Sequence, residues 1–311
     1  MNSSGTPVTF FGIPSFAKVP AVEVDGDWEA DVAILGVPYD SSAGYRPGAR
    51  FGPRAIRDIS TRFGFLGAGL GYWDARHQRR LLEGARVVDC GDVDAVPVSY
   101  QVTFENAARC VKTLIQRGVF PVVLGGDHSI SWPVFSALES LRPVSLVHLD
   151  AHLDYRDVLA GEGHGHGSVV RRISEISWID RHVSVGIRGL RTSEEDYSRA
   201  AGSGAVLVPC HMVKTQGVAA TLDMLPSLHR TYVTIDIDVL DAALATGTGT
   251  PEVNGLTYEE LRALLAGLAE RAEIVGFDLV EVNPFFDQAG VTSLSAASLV
   301  IEFLGAIFSG R

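Results

Sequence analysis

The sequence predicts an α/β fold built on a mostly parallel sheet, and three observations carry that prediction. Short apolar runs alternate with helical patterns through most of the 311 residues. Several of these runs are continuously apolar rather than alternating, as expected of strands covered on both faces. Unusual polar residues gather where the runs end, and in open α/β sheets ligands bind beyond the carboxyl ends of the strands.

In chain order, strands are expected at 31–37, 120–124, 144–149, 182–187, 231–237 and 273–279. Phe51-Gly52-Pro53 ahead of 54–59 places a proline at a helix start. Within 103–117, Ala107, Val111, Leu114 and Ile115 repeat at helical spacing, and Gly118 supplies the stop. Thr257 followed by Glu260 reads as a capping box opening a helix over 257–269, and a last helix is expected over 293–308. No linker, composition shift or internal repeat divides the chain. One domain over residues 1–311 is therefore expected, with 1–30 as an N-terminal extension.

Composition narrows the function. A net charge of −11 argues against nucleic acid, because a phosphate-binding surface needs a basic excess. Cys90, Cys110 and Cys210 are far apart and odd in number, so they form neither a disulfide framework nor a CxxC metal site. They read as buried small hydrophobes in a reducing cytoplasm. The first 20 residues lack a basic start followed by a long apolar stretch, so no signal peptide is expected. No apolar run approaches ~20 residues, so no membrane span is expected either.

Four of the expected strands end in residues that packing does not explain. Strand 120–124 runs into Gly125-Gly126-Asp127-His128-Ser129, and 144–149 into Asp150-Ala151-His152-Leu153-Asp154. Strand 231–237 contains Asp236 and closes with Asp238, while 273–279 leads to Glu281 in Val280-Glu281-Val282-Asn283-Pro284. On an extended backbone the period-two spacing of Asp150, His152 and Asp154 would point all three to one side, and Asp236 and Asp238 repeat that spacing. Gathered carboxylates repel one another, and a divalent cation removes the conflict. A single HxD or DxD is weak evidence, since such triplets often end a strand in a turn. Together they predict a metal site. Two histidines with four aspartates suit manganese or a similar first-row ion, nickel or cobalt included, better than structural zinc. Six such ligands could hold two ions, two of the carboxylates bridging.

With these motifs in place, the sequence resembles the ureohydrolases, the arginase and agmatinase family of manganese-dependent amidinohydrolases. The resemblance rests on the GGDHS, DAHLD and Asp236-Ile-Asp238-Val-Leu-Asp241 segments, with Gly247-Thr-Gly-Thr-Pro251. It extends to the RPGARFGPR stretch from Arg46 to Arg54 and to Glu281-Val-Asn-Pro, roughly residues 31 to 304, and looks closest to the agmatinase branch. It implies a three-layer α/β/α fold around an eight-stranded parallel sheet, assembled as trimers or hexamers. It also implies that His128, Asp150, Asp154 and Asp236 hold one ion. Asp150, His152, Asp236 and Asp238 would hold the other.

The implied reaction is hydrolysis of a small guanidino compound to urea and an amine, agmatine to putrescine and urea being the leading case. Guanidino acids or an N-alkyl guanidine or biguanide are the alternatives, the last because Val169-Val170 could face an alkyl tail. Beyond the metals, the catalytic candidates are Glu281, to fix the guanidinium, and His166, to donate a proton to the leaving amine; Asp154 counts both as ligand and as catalytic residue. His164 is the rival of His166, and a solvated Gly/His loop is the structural alternative to both. Asp127 is expected to support its loop, Arg46 and Arg54 to make ion pairs or subunit contacts, and Tyr72 and Trp73 to be core or pocket lid. Ala242 and Thr246 replace usual prolines, which should loosen their loop. A deacetylase-like metal amidohydrolase and a non-catalytic subunit are the readings from other classes.

Overall fold

The structure is a computed structural model and describes residues 11–159 and 161–308. Residues 1–10, part of the expected N-terminal extension and of the segment read for a signal peptide, lie outside the described residues. The strands are β1 (Val32–Val37), β2 (Tyr72–Asp74), β3 (Arg79–Leu81), β4 (Val87–Asp92) and β5 (Phe120–Gly125). They continue with β6 (Val144–Leu149), β7 (Ile179–Ile187), β8 (Val206–Pro209), β9 (Arg230–Asp236) and β10 (Glu273–Val280). The helices are α1 (Gly52–Ser60), α2 (Tyr100–Gln116), α3 (Ser131–Ser136), α4 (Val169–Ser174) and α5 (Glu194–Gly202). After these come α6 (Cys210–Gln216), α7 (Val218–Met224), α8 (Tyr258–Arg271) and α9 (Val291–Ile307).

Eight strands form one sheet in the order β4-β1-β5-β10-β9-β6-β7-β8, and every pairing is parallel. Strand alternation distributes the side chains between two cores. Val32 and Ile34 of β1 face one, with Leu261, Leu264, Leu265 and Leu268 of α8 and much of α9. Ala33, Leu35 and Val37 face the other, with Ala107, Val111 and Leu114 of α2. The result is the expected three-layer arrangement. Each buried leucine of α8 contributes about 1.5–3 kcal/mol by leaving water, so the α8 face alone anchors its layer.

The local signals act as read. Thr257 and Glu260 form the reciprocal capping box, and proline stands in the first turn of α1. Gly118, at φ 71°, ends the chain's course out of α2. Two sheet strands, β4 and β8, and the β2–β3 hairpin add to the six expected strands. All three cysteines are free and buried.

The expectation about apolar runs is corrected at α9. Gln288–Ile307 spans 20 residues with mean hydropathy 1.6, long and apolar enough to cross a membrane by length and composition. In the fold 56% of its 18-residue apolar window is buried, because α9 packs against α1 and α8.

Candidate metal centre

The four strands that end in unusual polar residues, β5, β10, β9 and β6, are consecutive in the sheet. Their carboxyl ends therefore form one continuous edge. At the first of them the chain must pass close to a neighbouring loop: a Cβ on Gly126 would lie 1.8 Å from the Tyr39 carbonyl oxygen, so only glycine fits. Asp127 then fixes the turn. Its Oδ1 accepts from the Ser129 amide at 3.1 Å, and its Oδ2 from the Ser42 hydroxyl at 2.6 Å. Ser42 Oγ in turn accepts from the His166 amide at 2.9 Å, so Asp127 supports the site through two loops.

The extended-strand argument needs correcting. β6 stops at Leu149, and Asp150 to Asp154 lie in a loop whose last residue has φ 48°. Asp236 closes β9, whereas Asp238 sits in the tight turn Ile237–Val239. Turns, not a pleat, bring the side chains together. Asp236 Oδ1 accepts from the Asp238 amide at 2.8 Å, Asp150 Oδ1 from the His152 amide at 2.5 Å, and Asp238 Oδ1 from the Ala151 amide at 3.1 Å.

Two groups of potential ligand atoms result, and Asp150 belongs to both. His128, His148, Asp150 and Asp154 form one, and Asp150, His152 and Asp238 the other; within each, the ligand atoms lie within 4.8 Å of one another. His128 Nδ1 faces Asp150 Oδ2 at 3.0 Å, Asp154 Oδ2 at 3.3 Å and Asp236 Oδ2 at 3.4 Å. His152 Nδ1 stands 3.1 Å from Asp238 Oδ2 and 3.4 Å from Asp150 Oδ1.

His148 was not anticipated. Its Nε2 lies 2.8 Å from Asp150 Oδ2 and its Nδ1 is 3.0 Å from Ser184 Oγ. The signal was present, since His148-Leu-Asp150 repeats the His152-Leu-Asp154 spacing, but a histidine inside an apolar strand reads locally as core.

These residues fit a cation. Buried His128 Nδ1 has no hydrogen-bond partner, although three carboxylates surround it. Burial, then the charges of Asp238 and Asp150, push the Asp236 carboxyl well above its usual range; burial and Asp150 likewise push Asp238 up. Burial opposes ionisation of Asp150 too, but the charge of the adjacent His148, with the rings of His128, His148 and His152 beside the carboxylate, holds it well below that range. An ionised Asp150 between two carboxyls that resist ionising is a charge conflict that bound cations would remove.

Glu281 and His166 meet beside this cluster. Glu281 is buried at φ 65°, and its Oε1 accepts from the His128 amide at 2.9 Å and faces His166 Nδ1 at 3.2 Å. Burial alone would lower the His166 pKa, but the Glu281 hydrogen bond and charge outweigh it and push it up to about 9. His164 points elsewhere: its ring stacks on Tyr100 at 5.2 Å and meets Trp132 edge-on. His152, Asp154 and Asp236 lie at the floor of an open pocket that His166, Arg156 and Arg191 also line.

Other expectations change. Val169 and Val170 open α4 with their side chains buried in the core and do not line that pocket, so they offer nothing to an alkyl tail. The ion pairs of the RPGARFGPR stretch come from Arg50, on Asp40, rather than from Arg46 or Arg54. Arg46 instead packs over the Tyr45 and Phe286 rings, and Arg54 is exposed. Tyr72 and Trp73 are on β2, away from the cluster, and Trp73 is 61% exposed. The loop lacking prolines at 242 and 246 is pinned otherwise. Asp241 accepts from the amides of Ala243 and Gly255 at 2.9 and 2.8 Å, and Arg188 donates to the carbonyls of Asp238, Leu240 and Glu252.

Comparison with known proteins agrees with this geometry. The model of the Arginase family matches residues 30–305. The chain is 35% identical to the guanidinopropionase of Pseudomonas aeruginosa, covering 95% of this chain and 92% of that protein. It is also 35% identical to an agmatinase of Bacillus anthracis, over 89% of this chain and 91% of the relative. Among solved structures, the proclavaminate amidino hydrolase of Streptomyces clavuligerus superposes with a TM-score of 0.86 at 32% identity, covering 97% and 99% of the two chains.

Proposed function

Because the chain belongs to the arginase family, we propose that it hydrolyses a small guanidino compound to urea and an amine at a dinuclear metal centre, with agmatine, giving putrescine and urea, as the leading substrate. The observation that carries this reading is Asp150, shared between two clusters of ligand atoms at the edge of four consecutive strands. His128, Asp150, Asp154 and Asp236 would hold one ion, and Asp150, His152, Asp236 and Asp238 the other. His148 would brace the shared carboxylate from behind, as outer partners of metal ligands do. The mixed nitrogen and oxygen donors suit manganese, with nickel or cobalt as substitutes.

When bound, such a pair of ions supplies hydroxide near neutral pH. The chain's own residues do the rest. A guanidinium carbon is poorly electrophilic because its charge is delocalised, so holding it in place matters. Glu281 faces the planar guanidinium with a buried carboxylate and fixes its carbon over the cluster. His166 keeps a proton on Nδ1 against Glu281 Oε1 and, being protonated near neutral pH, donates its other ring proton to the departing amine nitrogen.

A guanidino acid is the second reading, favoured by Arg156 and Arg191 on the pocket wall and by the guanidinopropionase relative. The family match and the continuous sheet support one catalytic domain, with residues 1–30 as an extension. Assembly as a trimer or hexamer is part of the proposal, supported by the exposed aromatics Tyr45, Phe51 and Phe285. So is a cytoplasmic setting, supported by three free thiols.

The test is urea release from a panel of guanidines by protein loaded with manganese, nickel and cobalt in turn. Urea from agmatine or another guanidine supports the proposal. Metal-loaded protein that releases urea from none of them would leave a non-catalytic subunit as the better reading.

A further inference from the structure

His152 has two ring nitrogens, and the cluster accounts for one of them. Its Nδ1 faces Asp238 Oδ2 at 3.1 Å and Asp150 Oδ1 at 3.4 Å. With an ion on Nδ1, the ring carries its one proton on Nε2. That Nε2 is buried, and among the described residues it has no hydrogen-bond partner. A buried N–H without an acceptor is costly, and histidines that ligate metals nearly always donate their second nitrogen to a carboxylate, a carbonyl or water. His128 differs here, since its Nε2 meets Thr234 Oγ1 at 2.8 Å. Only the His152 half of the centre is left with this question open.

The carboxylate that faces it is Glu252, whose Oε1 stands 3.6 Å from His152 Nε2, just beyond hydrogen-bond length. Among the described residues this is the one ion pair that Glu252 makes. Two residues that follow β7 seat it. Arg188 donates to the Glu252 carbonyl at 2.9 Å and to the Val253 carbonyl at 3.0 Å, so the main chain is held independently of the side chain. Gly189, at φ 75°, leaves the space that the side chain fills: a Cβ there would lie 2.6 Å from the Glu252 carboxyl carbon. Glu252 itself belongs to neither cluster of ligand atoms. We propose that Glu252 is a positioning residue of the metal centre, accepting the Nε2 proton of His152 and thereby fixing the tautomer and orientation that aim Nδ1 at the cluster. Its charge also makes the imidazole a more basic ligand. The inference rests on the two-metal reading above and assigns a residue that acts on one of the two ions.

The experiment titrates chelator-stripped protein with manganese and follows each bound ion by electron paramagnetic resonance. It compares the unaltered chain with Glu252→Ala, Glu252→Gln, His152→Ala and the double variant Glu252→Ala with His152→Ala. In Glu252→Ala one of the two ions should bind about ten- to a hundredfold more weakly, while the other keeps its affinity. Glu252→Gln retains an acceptor oxygen and should recover part of the loss. Urea release lost at limiting manganese should return in excess manganese, as expected of a residue that acts through the ion. Added to His152→Ala, the Glu252→Ala change should cost no further affinity, because its partner is already gone. Unchanged affinity in Glu252→Ala, equal weakening of both ions, or an equal loss with and without His152 would overturn the proposal.

The same titration separates this proposal from the one it rests on. If the unaltered chain takes up a single ion, the two-metal reading fails. Weakening of that ion by Glu252→Ala only while His152 is present would still uphold the pairing, and no weakening would overturn it.

Discussion

Asp150 accepts from the His152 amide and faces the rings of His128 and His148, so its removal breaks both halves of the cluster at once. Asp150→Ala should lose bound metal, as read by elemental analysis, and with it urea release. Glu281 calls for a gentler change. Alanine there would also strip the partner from the buried His128 amide, whereas Glu281→Gln keeps an acceptor. Glu281→Gln should retain metal while turnover falls by ~10²-fold or more, in the range of other positioned catalytic groups; normal turnover would remove Glu281 from the mechanism. His166→Ala should cost ~10²–10⁴-fold in kcat. His164→Ala, whose ring is engaged by Tyr100 and Trp132, should stay close to the unaltered rate. Equal losses would make His164 the donor. At this scale the residue types were legible because carboxylates at strand ends have few structural uses. Their geometry was not: Asp154 at φ 48° and the turn holding Asp238 depend on backbone detail that spacing alone does not encode.

Elements show the same division. The six strands read from the sequence are those carried by mostly apolar runs. β4 escaped because it turns polar after Val88, and the buried Asp89 there is satisfied from a distance, by the Phe16 amide at 2.7 Å and by Arg57 on α1, which reaches it at 2.8 and 3.0 Å. The arginine is 32 residues away in sequence. β8 is a four-residue edge strand ended by Pro209, too short for periodicity to register. β7 carries a prediction of its own. His182 is buried against Ser184 Oγ at 2.8 Å, and burial, then the nearby His148, lowers its pKa to about 3. It is neutral in the fold, while the unfolded chain takes up a proton below its ordinary 6.5. Its contribution to stability is therefore complete above about pH 6.5 and is lost as pH falls towards 3. Thermal midpoints should decline across that window, and His182→Phe should flatten the decline. An unaltered slope would assign the acid sensitivity to other groups.

For the whole molecule, the sequence's alternation of strand and helix sufficed for the class of fold, while strand order was not legible from it. The resemblance supplied eight parallel strands. Only the topology shows that β5, β10, β9 and β6 are consecutive, which makes one site of residues more than 150 positions apart, such as His128 and Glu281. It also sets Arg156 and Arg191, from loops after two neighbouring strands, on one pocket mouth. The central claim is that this edge is a two-metal hydrolytic centre, and a metal titration tests it most directly. Protein stripped by chelation is given manganese stepwise, with bound metal and urea released from agmatine and the guanidino acids read on the same samples. The expected result is urea release that reaches its full rate only as occupancy approaches about two ions per chain. Saturation at one ion, or urea release that does not depend on metal, would contradict it.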